Sequence, residues 1–510
     1  MNQDIRSEPL PSAALFSPDM DQGAGQRAYR LTVWCLAAAA VVLMAYPAIR
    51  MGWNYEIDNT EGWNAYHQLR AMAGLPLYEG GSPLFFNNYP PLSFYLVGAL
   101  SLPFGDPVIA GRILSLLGLV AICLSAGSVV RSAGGSRLDG TLAASTCALI
   151  FATFIADHVA KNNPQLLAIA FIMAGLATHL GGRPGIGRAA ATALLFSIGV
   201  MTKHSLICVP LVVAGDVLIN GRGRPRLAFF GFGLGLAVLC GGAMWVFAGK
   251  AFFVQLLASR TWEVDRSFLF TTEILGQFQA PMAVVGLGLI HFRRHRPAGL
   301  ILAYLGASLA FGIFYSGGAG TDINVYFDVF IALSIGAGLV AHLLPVRRAR
   351  AVVALALNAG VLFYTPFSLG RFGWEMMGEM TYRERLFQED VDYVAAIPGV
   401  ALCHSHLLCL RAGKPAFYDP INVLQAMIAG RLPADTLTGM LRRHEIQVVE
   451  LSDPPRHPED ENPGLPGLPT RFMDFPDDVF EALRQEYVID RIGISGRFYR
   501  PRTDQSPPGK

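Results

Sequence analysis

"LAFFGFGLGLAVLCGGAMWVFAG", from Leu227 to Gly249, contains no charged residue. At 1.5 Å per residue a helix of this length reaches about 34 Å, enough to cross a hydrocarbon layer of about 30 Å. A soluble helix would keep a polar stripe for water. Leu31 to Ile49 is equally free of charge. Across all 510 residues only 15% are charged, against about 25% for a soluble domain, and mean hydropathy is +0.40. Composition excludes the three or so soluble domains that length alone would suggest. The expected fold is an α-helical polytopic membrane protein.

Working outward from that stretch, about 11 spans are expected near 30–49, 108–130, 138–156, 164–181, 187–203, 204–220, 227–248, 274–292, 298–315, 323–344 and 349–366. Short basic links separate them: "RSAGGSR", "GGRPGIGR", "NGRGRPR", "HFRRHR" and "PVRRAR". All five fall on the side of Arg27 and Arg30 if Pro90 to Gly105, short and opened by prolines, lies along the outer interface instead of crossing. The positive-inside rule then puts the N-terminus in the cytoplasm and everything after Phe367 outside. Residues 1–29 read as a disordered polar tail, and 30–366 as the membrane domain. Residues 50–107 form a long outer loop of interfacial helices, with Tyr89, Phe94 and Tyr95 as interface rings. Gly231 and Gly235 suit a close-packing face between spans.

Residues 367–500 are more charged and rich in proline. An amphipathic helical segment, "ERLFQEDVDYVAAI", alternates there with strand-like runs, "VALCHS", "IQVVELS" and "EYVIDRIG". A small outer α/β or α+β domain is expected, with a disordered end at 501–510. Its Asp390 and Asp392 read as a solvated helix face. Cys403 and Cys409 could pair in an oxidising compartment, and a zinc site there is disfavoured by the strand-like alternation.

The first outer loop carries "EIDNTEGWNAYHQLRAMAGLPLY", Glu56 to Tyr78. Asp58 and Glu61 have the spacing of a capping box, with Trp63, Tyr66 and Leu69 following as an apolar stripe suited to the membrane surface. A carboxylate held rigidly on the outer face also suits a general base. The spacing leaves both readings open.

This acid-bearing loop, the aromatic "NNYPPLSFYL" and "GDPVIAGRILSLLGLV" together resemble the C-type (multispanning, GT-C) glycosyltransferases. The resemblance is to the bacterial branch with protein O-mannosyltransferases and lipid A aminoarabinose transferases. "NNPQLLAIAFIMAGL" and "GVMTKHSLICVPL" are similar to that branch's turns further along. The resemblance implies a sugar carried on polyprenyl phosphate and moved, with inversion, to a hydroxyl of a glycan, lipid or protein. The transfer would occur at the periplasmic face of a bacterial inner membrane. It implies Asp58 as base with Glu61 beside it, and a cation for the leaving phosphate, first of all Lys203. Lys203 also reads as a snorkelling residue at a span end.

Arg260 and Arg266 in "RTWEVDRSF" are further phosphate candidates. His204, Asn163, Asp157, Tyr89, Asn324 and Tyr326 are candidates to line the cavity, and Asp328 is a site or a structural residue. Asn163 stands where family members often carry an acid. The resemblance leaves room for a divalent cation, but an amide is a poorer ligand for one, and no metal site is assigned. Membrane lipids are expected partners and nucleic acid is not. The competing classes are a transporter or lipid flippase, which would put ionisable groups at mid-bilayer in paired halves, and a non-catalytic scaffold.

Overall fold

The computed structural model describes residues 18–78, 82–433, 435–451 and 477–502. Among them, six helices are long and apolar enough to cross a membrane: Gly23–Arg50, Pro107–Ser132, Gly223–Leu256, Arg296–Ser316, Ile323–Leu343 and Arg347–Ala396. The expected span at 274–292 is instead a broken pair, Val264–Gly276 and Gln279–His291, bent by 84°. The helices Arg137–Thr153, Gln165–Leu180, Ile186–Thr202 and Cys208–Asn220 are shorter, with 17, 16, 17 and 13 residues. The molecule is a multipass membrane protein, and a total of eleven spans needs each of the shorter helices to cross.

Ile323–Leu343 is the central element, with 78% of its apolar window buried, whereas only 11% of the window in Gly223–Leu256 is buried. Gly231 and Gly235 on the latter have open space where a side chain would stand, so they pack no neighbouring helix as expected. The first helix begins at Pro18, earlier than the expected end of a disordered tail at residue 29. It is anchored by Tyr29, which is buried and donates to Asp139 at 2.8 Å. Residues 1–17 and 503–510 of the expected tails lie outside the described residues. Arg347–Trp374 continues through Pro366, so the last span and the soluble domain meet within a helix and not at 366/367.

The C-terminal domain is built on a mixed sheet of β1 (Val400–Cys403), β2 (Ile446–Leu451), β3 (Tyr487–Ile492) and β4 (Arg497–Pro501), in the order β1-β2-β4-β3. β1 and β2 are parallel and the other pairings antiparallel. Cys403 and Cys409 form a disulfide. Asp390 corrects the expectation of a solvated face: it is fully buried and accepts from Arg491 at 3.0 Å and the Ser495 amide at 2.9 Å. Asp392 is exposed as expected.

The outer-loop helix Thr60–Met72 does not lie on a membrane surface. Glu61 through Gln68 are all buried, because the helix is sandwiched between the bundle and the C-terminal domain. Asn64 and Tyr66 find partners on its two sides. Asn64 donates to the Asn162 carbonyl at 3.0 Å, and Tyr66 to the Lys414 carbonyl at 2.7 Å. Gly62 permits the approach, since a Cβ there would come within 2.1 Å of the Leu407 amide. Phe94, expected at the interface, is buried against Trp63; Tyr95 remains exposed.

Candidate active site

The capping box expected at Asp58 takes a different form. The helix starts at Thr60, its cap residue Asn59 makes no side-chain bond, and Glu61 reaches back to the Ile57 amide at 2.9 Å. Asp58 accepts from the Thr60 amide at 2.8 Å and from the Thr60 hydroxyl at 2.5 Å. Its other oxygen lies 3.0 Å from the Lys161 ammonium, which is buried. Burial alone would push the Asp58 carboxyl up, but Lys161 and the two bonds from Thr60 outweigh it and hold it below the usual carboxylate range. The base candidate is therefore ionised at neutral pH.

Lys161 also contacts His158 at 3.3 Å, and His158 contacts Asp322 at 3.2 Å. Asp58 is thus joined, through three side chains, to the segment that carries Thr321 and Asn324.

Glu61 has another place. Both its oxygens meet the Arg112 guanidinium, at 2.8 and 2.6 Å, and neither side chain is exposed. Arg112 donates further to the Trp53 and Tyr55 carbonyls at 2.5 and 2.6 Å, and Glu61 accepts from the Asn162 amide at 2.9 Å. A carboxylate so fully bonded braces the loop that carries Asp58.

A cavity of about 610 Å³ has Tyr89 of the outer loop in its wall, whereas Asp58 and Glu61 do not line it. Of the expected residues, Lys203, His204, Arg260, Tyr89 and Asn324 line it, together with Asp328. Lys203 comes from the turn after Ile186–Thr202 and is buried, with its ammonium 5.0 Å from the centre of the Tyr89 ring. Burial, then the charges of Lys203 and Arg260, push the His204 imidazolium down to about 4, leaving it neutral at pH 7. Asp328 accepts from the Tyr304 hydroxyl at 2.6 Å.

The C-terminal domain closes one wall. Arg260 donates to Asn422 at 3.2 Å, and Asn422 donates to Asp419 at 2.7 Å. Asp419 in turn accepts from the Trp63 indole at 3.0 Å. Trp63 meets Tyr89 edge-on at 5.1 Å. A chain of contacts therefore runs Lys203–Tyr89–Trp63–Asp419–Asn422–Arg260.

The other expected residues do not line this cavity. Asp157 is held by Arg50 at 2.7 Å and Arg371 at 2.9 Å, tying three segments together. Arg266 is buried and donates to the Thr321 carbonyl at 2.9 Å. Tyr326 is fully buried and bonds Thr271 at 2.5 Å. The Asn163 side chain accepts from the Gln165 amide at 3.0 Å, opening the next helix.

A divalent cation does not fit at Asp58. Its oxygens are engaged by Thr60 and by a competing cation, Lys161. Asn163 supplies an amide, and among the described residues no three His, Cys, Asp or Glu side chains gather as a metal site would need.

Sequence reasoning missed Lys161, Arg112, Asp419 and Asn422. The signal for the first two was present, since a basic residue near a span end has to pair or reach water. The last two are ordinary in sequence and acquire meaning only once the domains meet.

This is a multispanning membrane fold with a cavity walled on one side by the C-terminal domain. No protein-family model matches the chain, and no curated protein matches it. Solved structures are. The crystal structure of ArnT from Cupriavidus metallidurans in the apo state superposes with a TM-score of 0.59 at 14% identity, covering 92% of this chain and 97% of ArnT. ArnT bound to undecaprenyl phosphate gives 0.56 at 15% identity, covering 93% and 98%. The archaeal oligosaccharyltransferase AglB from Archaeoglobus fulgidus, in complex with an inhibitory peptide and a dolichol-phosphate, gives 0.52 at 11% identity, covering 82% and 69%. The chain has the GT-C fold, in an ArnT-like form.

Proposed function

We propose that the protein is a glycosyltransferase of a bacterial inner membrane. It moves a sugar from a polyprenyl-phosphate donor to a hydroxyl of a glycan, lipid or protein on the periplasmic side. The observation that carries this reading is the convergence of Lys203, Arg260 and a neutral His204 on one cavity, in a fold shared with an ArnT bound to undecaprenyl phosphate. Two cations at a cavity wall suit a phosphate that gains charge as it leaves.

In this reading Asp58 takes the proton of the acceptor hydroxyl. The hydroxyl oxygen attacks the anomeric carbon from the face opposite the phosphate, and the bond to the phosphate oxygen breaks. The electron pair leaves with polyprenyl phosphate, and the sugar is inverted. Lys203 and Arg260 hold the leaving phosphate, and Lys161 keeps Asp58 ionised and oriented. Glu61 and Arg112 fix the loop, so Glu61 acts through structure and not as a proton acceptor.

The five basic links support a cytoplasmic N-terminus. The Cys403–Cys409 disulfide supports an oxidising compartment for the C-terminal domain. The test is transfer of radiolabelled sugar from a panel of polyprenyl-phosphate sugars in membranes. Activity in wild type that falls in Lys203→Ala and Arg260→Ala is expected. Wild type that transfers no sugar from any donor, yet moves lipid across vesicles, would overturn the reading in favour of a transporter.

A further inference from the structure

Two buried amide side chains line the cavity, and each has one atom without a partner. Gln425, 2% exposed, comes from the C-terminal domain helix Pro420–Ile428. Its Oε1 accepts from the Thr261 amide at 2.7 Å and the Thr261 hydroxyl at 3.0 Å. The backbone amide can only donate, so the oxygen must face Thr261 and the NH2 must face away. That Nε2 has no partner. Gln165, 6% exposed, comes from the membrane helix Gln165–Leu180. Its Nε2 donates to the Asn324 carbonyl at 3.3 Å, which turns Oε1 the other way, and that oxygen has no partner.

A buried polar atom without a bond is costly and calls for an occupant. Here one orphan is a donor and the other an acceptor. A phosphate, which only accepts when ionised, would satisfy Gln425 and be repelled by the Gln165 oxygen. A sugar hydroxyl both donates and accepts, and a ring bearing several can satisfy both.

We propose that Gln165 and Gln425 form the subsite that reads the hydroxyls of the transferred sugar, so that the C-terminal domain contributes directly to donor recognition. This rests on the glycosyltransferase reading above. The phosphate end of the donor lies with Lys203 and Arg260, and the sugar end with the two amides.

The experiment is equilibrium binding to the purified full-length protein in detergent. The ligands are undecaprenyl phosphate and undecaprenyl-phosphate glucose, galactose and mannose, compared in wild type, Gln425→Met and Gln165→Met. Each variant keeps the length of the side chain and removes its polar end without adding charge, and the binding of undecaprenyl phosphate reports whether the local fold survives. Wild type should bind at least one sugar-bearing ligand more tightly than undecaprenyl phosphate. Each variant should weaken that ligand by about 5- to 10-fold, the value of one neutral hydrogen bond, and leave undecaprenyl phosphate within twofold. Equal losses for both ligands, or no loss for either, would overturn the subsite. So would a wild type that gains nothing from any of the three sugars. A wild type that binds none of the four ligands would instead overturn the donor reading on which the subsite rests.

Discussion

The Arg112 guanidinium meets both oxygens of Glu61, at 2.8 and 2.6 Å, with neither side chain open to solvent. The pair joins the helix Pro107–Ser132 to the loop that carries Asp58. Removing one partner from such a pair strands a buried charge, at a cost of about 3–5 kcal/mol. Arg112→Leu should therefore lower the yield of folded protein and its unfolding temperature in detergent. Arg112→Lys, which lacks the two-pronged donor, should do so to a lesser degree. An unchanged unfolding temperature in Arg112→Leu would show that the loop is held by other contacts.

Lys161 sets the acid side of the pH profile. The Asp58 carboxyl is held below its usual range in the folded protein, so the ionised form, and the stability it lends, persists above that range and is lost as pH falls through the lowered value. Activity should then show no acid limb from Asp58 between pH 7 and 5. In Lys161→Met only the two bonds from Thr60 still oppose burial, so the Asp58 pKa rises, and the limb should move to higher pH with lower activity at neutrality. Rates against pH for the two proteins check this. Since Lys161 occupies the place a metal would need, a chelator should leave the wild-type rate unchanged.

Glu56 predicts the opposite sign. It is partly buried where the loop meets the C-terminal domain, accepting from Ser405 and from the Leu407 amide at 3.2 Å. Burial, only partly offset by those bonds, pushes its carboxyl well up. A group raised in the folded state lends stability below its unfolded pKa and loses it as pH rises through the folded value. Wild type should lose unfolding temperature from pH 5 to 9, and Glu56→Gln, neutral throughout and still an acceptor for Ser405, should lose less. Parallel curves for the two proteins would contradict the assignment.

The membrane class was legible because runs such as Leu227 to Gly249 answer to one physical demand, the thickness of the bilayer. The strands were legible from alternation, and β1, β2 and β3 fall within the expected runs. Lys203 and Arg260 were legible as cations near span ends, and the fold brings them to one cavity. Other readings failed where a partner from a distant segment decides the role. Glu61 looks like a cap or a base until Arg112 is seen against it, and Asp390 looks solvated until Arg491 folds over it. The stripe of Trp63 and Tyr66 suggested a membrane surface, because periodicity reports that a face is buried and not what buries it. Gln425 carries no signal in sequence, since its meaning lies in which of its two atoms Thr261 takes.

In the proposed reaction Asp58 is the base of a sugar transfer. The most direct measurement is the rate of transfer by Asp58→Asn against wild type, with matched levels of folded protein and equal unfolding temperatures. The amide keeps an oxygen for Thr60 while removing the proton acceptor. A loss of about 10²- to 10⁴-fold in the rate of the chemical step is expected, with donor binding little changed. Transfer at the wild-type rate would leave Asp58 a structural residue beside Lys161 and contradict the account.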